Sequence, residues 1–151
     1  MPVPMLDRIT EDVKASMRAG EAVRLSTLRL LKSALQYKEI QNGKELTEND
    51  VLDVISAEVK RRRESVEEYG KAGRRDLADK ESAELAVLTA YLPAQLSEAE
   101  VKSLVEGAVK AAGASTPKDM GKVMALLMPQ VKGRADGKLV NQLVKSALGA
   151  N

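Results

Sequence analysis

Apolar residues recur every three or four positions along most of this chain, the spacing at which side chains line one face of an α-helix. The pattern predicts seven helices, at about residues 5–18, 21–40, 48–69, 75–92, 98–112, 117–128 and 137–148. No segment of any length alternates between apolar and polar residues as a half-buried strand would. We therefore predict an all-α fold.

Most of the predicted helices have recognisable start and stop signals. Thr47 with Asp50, and again Ser97 with Glu100, have the spacing of a capping box, in which each side chain bonds the backbone amide of the other residue. Thr116 precedes a proline at the first position of the sixth helix, where the missing N–H is not needed. Glycine or proline should end six helices, at Gly20, at Gly43, at Gly70 and Gly73 together, at Pro93, at Gly113 and at Pro129.

Pro93 marks the strongest predicted boundary in the chain. Proline cannot continue a helix, and the residue before it avoids the helical region. Three predicted helices follow, enough for a small bundle with a modest core of its own. The sequence thus predicts an N-terminal helical domain (1–73), a partly helical linker (74–93) and a three-helix C-terminal tail domain (94–151).

The residue inventory restricts both the core and the chemistry. The 151 residues include no Phe, Trp, Cys or His and only three tyrosines, so the predicted core is aliphatic. Without Cys and His, the chain lacks thiolate nucleophiles and the commonest general base and metal ligand, and we expect no catalytic residues, metal or cofactor. No apolar run approaches the roughly 20 residues that cross a bilayer, and the N-terminus lacks a signal-peptide pattern. We expect a soluble cytoplasmic protein that does not contact membranes.

Positive charge is concentrated near the C-terminus. From Gly113 to Asn151 the chain has six basic residues and two acidic ones, a local charge of +4, whereas the whole chain is only +2. A basic module beside a near-neutral remainder favours an anionic partner, most often nucleic acid. The turn at residues 132–138 (KGRADGK) has two glycines that would let backbone amides approach a phosphate at the start of the last helix. Its spacing differs from that of a Walker loop, so binding of ATP or GTP is not expected.

Three stretches of the chain resemble the GatB/YqeY family. Residues 74–85 (RRDLADKESAEL), continuing to Tyr91-Leu92-Pro93, resemble the linker helix of the family, and residues 97–101 resemble the opening of its tail domain. Residues 120–124 (MGKVM) and 131–140 (VKGRADGKLV) resemble the signature of that tail. The family includes YqeY-like proteins, which are related to the tail domain of the B subunit of the Asp/Glu-tRNA amidotransferase.

The resemblance implies an all-α protein whose tail grips the outer elbow of tRNA, while a separate domain of the amidotransferase performs the amide transfer. This chain matches the tail and none of that catalytic portion. Our first hypothesis is therefore a non-catalytic tRNA-binding module that recognises tRNA shape and backbone. Two alternatives stay open: an adaptor that binds a protein partner through its N-terminal helical domain, and an accessory to glutamine-dependent tRNA amidation. The corresponding family label, a carbon–nitrogen ligase with glutamine as amide donor, has no catalytic residues to support it here.

The candidate nucleic-acid site consists of basic residues and glycines of the tail, namely Lys118, Lys122, Lys132, Gly133, Arg134, Gly137, Lys138 and Lys145. Because the tail has no aromatic residue on which bases could stack, we expect contacts to the phosphate backbone. A simpler interpretation of the same turn is a helix–helix connector in which Asp136 caps the last helix. Recognition of duplex DNA is a weaker alternative, because only Asn141 and Gln142 on the last helix are able to read base edges.

Three other sequence patterns could indicate functional sites but are more simply explained by core packing or by a solvated surface. Met120, Met124 and Met128 recur every four residues and are predicted to line the core. The basic run at residues 60–63 is predicted to be a solvated surface, paired with glutamates of its own helix. The acidic residues between positions 76 and 84 are likewise predicted to be an ordinary charged helix surface, not a paired-carboxylate or metal site.

Overall fold

In the computed structural model, which describes residues 3–149, the chain is almost entirely helical and contains no strand in that range. The α-helices within it are α1 (Pro4–Ala19), α2 (Ala22–Asn42), α3 (Glu48–Lys71), α4 (Arg75–Thr89), α5 (Glu98–Ala112), α6 (Met120–Val131) and α7 (Gly137–Ala147). A short 3₁₀ turn, Pro117–Asp119, precedes α6. The predicted all-α fold is confirmed. None of the described helices is both long enough and apolar enough to span a bilayer.

The chain forms two compact units, Met1–Leu92 and Pro93–Asn151. In the first unit α3 packs against α4, and α2 contacts both α1 and α4; in the second unit α5 packs against α6 and α7. Each unit has an aliphatic core of its own. The first core includes Ile9, Leu28, Leu31, Ile55, Val59 and Leu88. The second includes Val101, Val105, Val123, Leu127, Val140 and Val144.

Helix α4 occupies the segment that the sequence resemblance assigns to a linker. Ala78, Glu84 and Leu88 are its buried residues, and Leu88 belongs to the core of the first unit. The boundary between the two units falls at the bond between Leu92 and Pro93. The three-part division into N-terminal domain, linker and tail stays a prediction, because compactness alone does not distinguish a linker helix from a core helix.

Both predicted capping boxes are present, and they set the starts of α3 and α5. The Asp50 N–H donates to the Thr47 hydroxyl at 3.1 Å, and the Thr47 N–H donates to the Asp50 carboxylate at 2.9 Å. Ser97 and Glu100 make the same pair of bonds, each at 3.1 Å. Helix α5 ends at Gly113, whose φ of 62° lies in the left-handed region that glycine adopts most easily.

Two of the predicted helix stops are wrong. Helix α3 continues through Gly70, and α6 continues through Pro129. The left-handed residue after α3 is the second of the two predicted glycines, Gly73, with a φ of 73°. Pro129 lies in the last turn of α6, where it removes a single amide donor. The Lys132 N–H still closes that turn on the Met128 carbonyl at 2.9 Å, so the helix ends after the proline and not at it.

The methionine stripe of α6 lies only partly in the core. Met120 and Met124 are half-buried and pack against the core of the second unit, whereas Met128 is exposed. The buried face of α6 is formed by Val123, Leu127 and Val131. The prediction of a core stripe is therefore wrong for Met128. Each four-residue step rotates the side chain by about 40° around the helix axis, so a row with that spacing drifts away from the core.

Arg62 connects α3 to α4 instead of facing solvent. Its Nη1 lies 3.0 Å from a carboxylate oxygen of Glu84 and 3.4 Å from one of Glu81. The side chains of Arg62 and Glu84 are only 13% and 8% exposed. The predicted pairing within the helix is found for Arg61 with Glu58. It is wrong for Arg62, whose partners lie on another helix, and the predicted charged surface is wrong for Glu84, which is buried.

Tyr91 ties the end of the first unit to α1. Its hydroxyl donates a hydrogen bond to the Asp12 carboxylate, which also lies 3.6 Å from the Arg24 guanidinium and 3.9 Å from that of Arg8. The Arg8 guanidinium is 4.6 Å from the centre of the Tyr91 ring, within cation–π range. Burial, and next the Asp12 carboxylate, raise the pKa of the Tyr91 hydroxyl. The tyrosine of the YLP ending is therefore a structural anchor.

Replacing Arg62 by Met should destabilise the first unit by about 3 to 5 kcal/mol, because Glu84 would keep a buried charge without its partner. Urea unfolding followed by circular dichroism measures the loss. Arg61→Met is the matched control and should change the free energy of unfolding by about 0.5 kcal/mol or less, since Arg61 is exposed. Arg62→Met combined with Glu84→Leu should recover most of the stability. Equal losses for the Arg61 and Arg62 variants would contradict the buried cluster.

Candidate nucleic-acid interface

The turn between α6 and α7 is a compact connector. Gly133 takes a left-handed φ of 73°, and the N–H groups of Arg134 and Ala135 both donate to the carbonyl of the last residue of α6, at 2.9 and 3.1 Å. The Asp136 carboxylate accepts the Lys138 N–H at 3.1 Å and so caps α7. The simpler interpretation of a cap at Asp136 is confirmed. Three amides of this turn already have partners within the protein, which makes side chains the main candidates for holding an anion.

Arg134 faces the segment that leads into α5. Its Nε donates to the Ala94 carbonyl at 3.2 Å, and its own carbonyl accepts the Leu96 N–H at 2.8 Å. The side-chain amide of Gln95 donates to the Gly133 carbonyl at 2.9 Å. These bonds fasten the start of the second unit to the turn. Arg134 therefore has a structural role, and its role as a phosphate ligand stays a prediction.

The predicted lysines lie on the surface of the second unit. Lys118 is in the 3₁₀ turn, Lys122 is on α6, Lys138 and Lys145 are on α7, and all four are exposed. None of these four lies within 4.0 Å of a carboxylate oxygen in residues 3–149. Two further residues of the predicted site are exposed: Lys132, which directly follows α6, and Gly137, which is the first residue of α7. The ammonium groups of the four lysines are accessible to an external anion.

Three of the five acidic side chains of the second unit bond backbone amides at helix ends. The Asp119 carboxylate accepts the N–H groups of Ser115 and Thr116 at 3.1 and 3.3 Å, while Glu100 and Asp136 cap α5 and α7. The amides of Ser115 and Thr116 stabilise the charged form of Asp119 and lower its pKa. The backbone and hydroxyl of its capping partner lower the pKa of Glu100 in the same way. These three carboxylates stabilise helix ends, and the other two acidic residues of the unit, Glu98 and Glu106, are exposed on α5.

One side of α7 presents only cations and amides. Four exposed polar side chains follow it at spacings of three or four residues: Lys138, Asn141, Gln142 and Lys145. Helix α7 contains no acidic residue, and its other side is buried through Val140 and Val144. Ammonium and amide groups are typical contacts of phosphate and sugar oxygens. We call these four residues the α7 polar face. At the level of sequence, Asn141 and Gln142 are considered only as base readers. The apolar rhythm of α7 already indicates that they lie on the same side of the helix as Lys138 and Lys145.

At least seven of the sixteen basic side chains in residues 1–92 form ion pairs with carboxylates. These seven are Arg8, Lys14, Arg24, Arg61, Arg62, Lys71 and Arg74. Residues 1–92 contain 17 acidic and 16 basic residues, so charge is nearly balanced there. The net charge is therefore slightly negative in residues 1–92 and positive in residues 93–151, where eight basic residues stand against five acidic ones.

Carboxylates around the start of α4 are held by arginines. Asp76 lies 3.2 Å from the Arg74 guanidinium, and Glu81 and Glu84 share Arg62. Within residues 3–149 no three carboxylates come together in a way that could hold a metal ion. Glu81 and Glu84 thus have a structural explanation in the packing of α4 on α3.

Comparison with known proteins identifies a family over nearly the whole chain. A family model described as Yqey-like protein matches residues 6–148. Three similar proteins share the name "Altered inheritance of mitochondria protein 41, mitochondrial". That of Pyrenophora tritici-repentis is 30% identical over 151 residues, covering 97% of this chain and 82% of the relative. Those of Lachancea thermotolerans and Eremothecium gossypii are each 34% identical, over 72% and 59% of this chain and 60% and 49% of the relatives.

The names of these relatives contradict the predicted cytoplasmic location, because they assign the proteins to mitochondria. That prediction rested on the absence of an export signal at the N-terminus. The absence of such a signal does not distinguish one compartment inside the cell from another, so the sequence pattern was not sufficient evidence for a cytoplasmic protein.

Arg134→Ala should destabilise the second unit by about 2 kcal/mol, because two backbone carbonyls lose a charged donor. Urea unfolding of the full chain measures this loss. Lys138→Ala is the control, since its exposed ammonium group makes no ion pair in the described chain, and we expect a change of about 0.5 kcal/mol or less. An Arg134 variant as stable as the parent would show that these bonds contribute nothing to the fold.

Acid should weaken the start of α5 within a defined range of pH. The pKa of Glu100 is lowered below its ordinary value of 4.5 in the folded protein. Its stabilising contribution is therefore complete above about pH 4.5 and is lost as the pH falls through the lowered pKa. Glu100→Gln keeps an acceptor at this position but does not titrate. Urea unfolding between about pH 3 and pH 6 should show a shallower acid loss for this variant than for the parent. Parallel curves would be evidence against the cap.

Proposed function

The chain belongs to the Yqey-like protein family, and on that premise we propose that it binds tRNA without catalysing a reaction of its own. The second unit makes the contact, through the sugar–phosphate backbone of the tRNA. The resemblance of this unit to the tail of the amidotransferase B subunit favours tRNA over other polyanions. The exposed lysines and the α7 polar face are the groups that bind.

The observation that carries the proposal is that three of the five acidic side chains of the second unit bond backbone amides, whereas four of its exposed lysines make no ion pair within residues 3–149. Glu100, Asp119 and Asp136 bond backbone amides at helix ends. Lys122 and Lys138, in contrast, have no ion pair within residues 3–149 and extend into solvent. A phosphate that approaches this unit meets positive charge that the protein itself does not neutralise, which favours the electrostatic part of nucleic-acid binding.

Backbone and shape are the features of RNA that such a surface can recognise. All three tyrosines precede Pro93, and the chain has no Phe or Trp, so the second unit has no ring on which a splayed base could stack. A folded tRNA instead offers closely spaced phosphates with a fixed geometry. The proposed contact is therefore selective for folded RNA and tolerant of its sequence.

A second candidate function is that of a protein adaptor, and the exposed apolar residues of α2 favour it. Leu30, Tyr37 and Ile40 are large hydrophobic side chains on the surface of the first unit. The two functions are compatible, since they use different units. Nothing in residues 3–149 favours an accessory role in glutamine-dependent amidation over either of them.

The names of the related proteins support a proposal for the compartment in which the protein acts. Their names favour mitochondria, and contacts to a tRNA backbone would operate there by the same physical chemistry as elsewhere. The chain spans between about half and four fifths of the length of these relatives, so activities of the additional segments are not part of the proposal.

Replacing Lys122, Lys138 and Lys145 together by Ala should weaken binding of total tRNA by roughly 10- to 100-fold at low salt. For the parent protein, the logarithm of affinity should fall with the logarithm of salt concentration at a slope of roughly −3 to −4, and the variant should show a slope shallower by about two. Fluorescence anisotropy with labelled tRNA at several salt concentrations measures both quantities.

The matched control is a variant with Lys14, Lys71 and Arg74 replaced by Ala. It loses the same amount of positive charge from exposed positions of the first unit, and we expect it to bind tRNA nearly as well as the parent. Equal losses of tRNA affinity in the two variants would show that binding depends only on the net charge of the protein and not on where the lysines lie. A salt slope near zero would remove the phosphate mechanism, and equal affinity for folded tRNA and an unstructured RNA of the same length would remove shape recognition.

A further inference from the structure

Helix α2 has a second apolar face, opposite to the side that is buried in the core. On it Leu30 is 57%, Tyr37 64% and Ile40 78% exposed. Val23 is exposed as well, and Val23, Leu30 and Tyr37 follow one another at seven-residue intervals, which keeps them in one row along the helix. We call these four residues the α2 outer face. Large apolar side chains collected on one surface mark a site of interaction.

Two shallow grooves follow the α2 outer face and meet at Ser33. One, of about 420 Å³, is bordered by Ser26, Arg29 and Leu30. The other, of about 470 Å³, is bordered by Tyr37 and, on α3, by residues that include Asp53. The small side chains of the two serines leave depressions between the larger ones. The surface therefore alternates projections with depressions, as a helix-packing surface does.

We propose that the α2 outer face binds a second copy of this chain, with the two α2 helices antiparallel and crossing at Ser33. A two-fold axis at Ser33 places residues that lie equally far before and after it opposite each other. Ile40 then lies over Ser26 of the other copy, and Tyr37 lies over Arg29. Ile40 thus meets a smaller side chain and Tyr37 a complementary one, and the symmetry repeats both contacts on the other side of the axis.

Charge favours the antiparallel pair over a parallel one. Arg29 has no carboxylate within ion-pair distance in the described part of the chain. In the antiparallel pair its guanidinium faces the exposed ring of Tyr37, a favourable cation–π contact, beside the groove that Asp53 borders. In a parallel pair Arg29 would face Arg29 of the other copy. Like charges at a helix contact are destabilising, so the face selects its own orientation.

The extent of the face fits a reversible dimer. Helix α2 has 21 residues and is about 30 Å long, but two helices that cross make close contact over only a few turns. A contact limited to a few helical turns buries a surface area at the lower end of the range found in specific protein complexes. We therefore expect a dissociation constant on the order of micromolar.

Sedimentation velocity of the full chain from about 1 to 200 µM tests the dimer. The parent should change from monomer to dimer within this range. Leu30→Glu should raise the dissociation constant by about 100-fold or more, because each dimer carries the change twice near its centre. Leu30 is exposed, so circular dichroism should show an unchanged fold. Leu126→Glu, at an exposed position of α6, is the matched control and should leave the dimer intact.

Introduced cysteines test the orientation, because the chain has none of its own. Ser33→Cys lies on the proposed axis and should form an intermolecular disulfide with itself. Ser26→Cys should not do so alone, but it should cross-link when mixed with Ile40→Cys. Ser103→Cys, an exposed serine on α5, is the control and should stay reduced under the same mild oxidation.

Three results would overturn the proposal: a monomer over the whole concentration range, a dimer that Leu30→Glu leaves intact, and self-cross-linking of Ser26→Cys. The first result, with a native fold, would leave the α2 outer face to a different protein. Binding of tRNA is measured separately and depends on lysines of the second unit, so loss of the dimer would not decide the proposed function.

Discussion

The start of a helix leaves backbone amides without partners, and in this protein carboxylates supply those partners. The constraint is strong in the second unit, whose helices are short and whose core contains only aliphatic side chains. Such helices have to begin and end at the right residues if their valines and leucines are to meet. Glu100, Asp119 and Asp136 meet this need. These three carboxylates are directed at backbone amides, whereas Lys118, Lys122, Lys138 and Lys145 make no ion pair within residues 3–149.

The parts of the fold that could be predicted from sequence are those decided by close neighbours in the chain. A capping box needs a partner only three residues ahead, and those at Thr47 and Ser97 are present as predicted. Arg62 could not be predicted in this way, because its partner Glu84 lies on a different helix. Whether a helix continues past Pro129 also depends on what the following turn packs against. Such questions are settled by tertiary contacts, which local patterns do not contain.

In the candidate site, too, some features depend on neighbouring residues in the chain and others on tertiary contacts. The exposure of its lysines could be inferred from composition and helix periodicity. The absence of an ion pair at Lys118, Lys122, Lys138 and Lys145 within residues 3–149, however, depends on where the carboxylates of the unit are placed. Arg134 has the same sequence signature as these lysines, yet it bonds Ala94, a residue 40 positions earlier in the chain. On α2, the core stripe of Leu28, Leu31 and Leu35 explains the apolar rhythm of the helix, so the rhythm alone does not reveal the exposed apolar row on the other side.

The ion cluster of Arg62 has a consequence for the response of the two units to temperature. Hydration of charged groups becomes less favourable on warming, so the desolvation penalty of a buried ion pair falls as the temperature rises. Burial of aliphatic surface also loses strength on cooling, but on heating its strength per unit area levels off. The contact between α3 and α4 combines both kinds of interaction, whereas the described core of the second unit is purely aliphatic. Heating should therefore favour the first unit relative to the second, and the protein would first loosen in the unit that carries the exposed lysines.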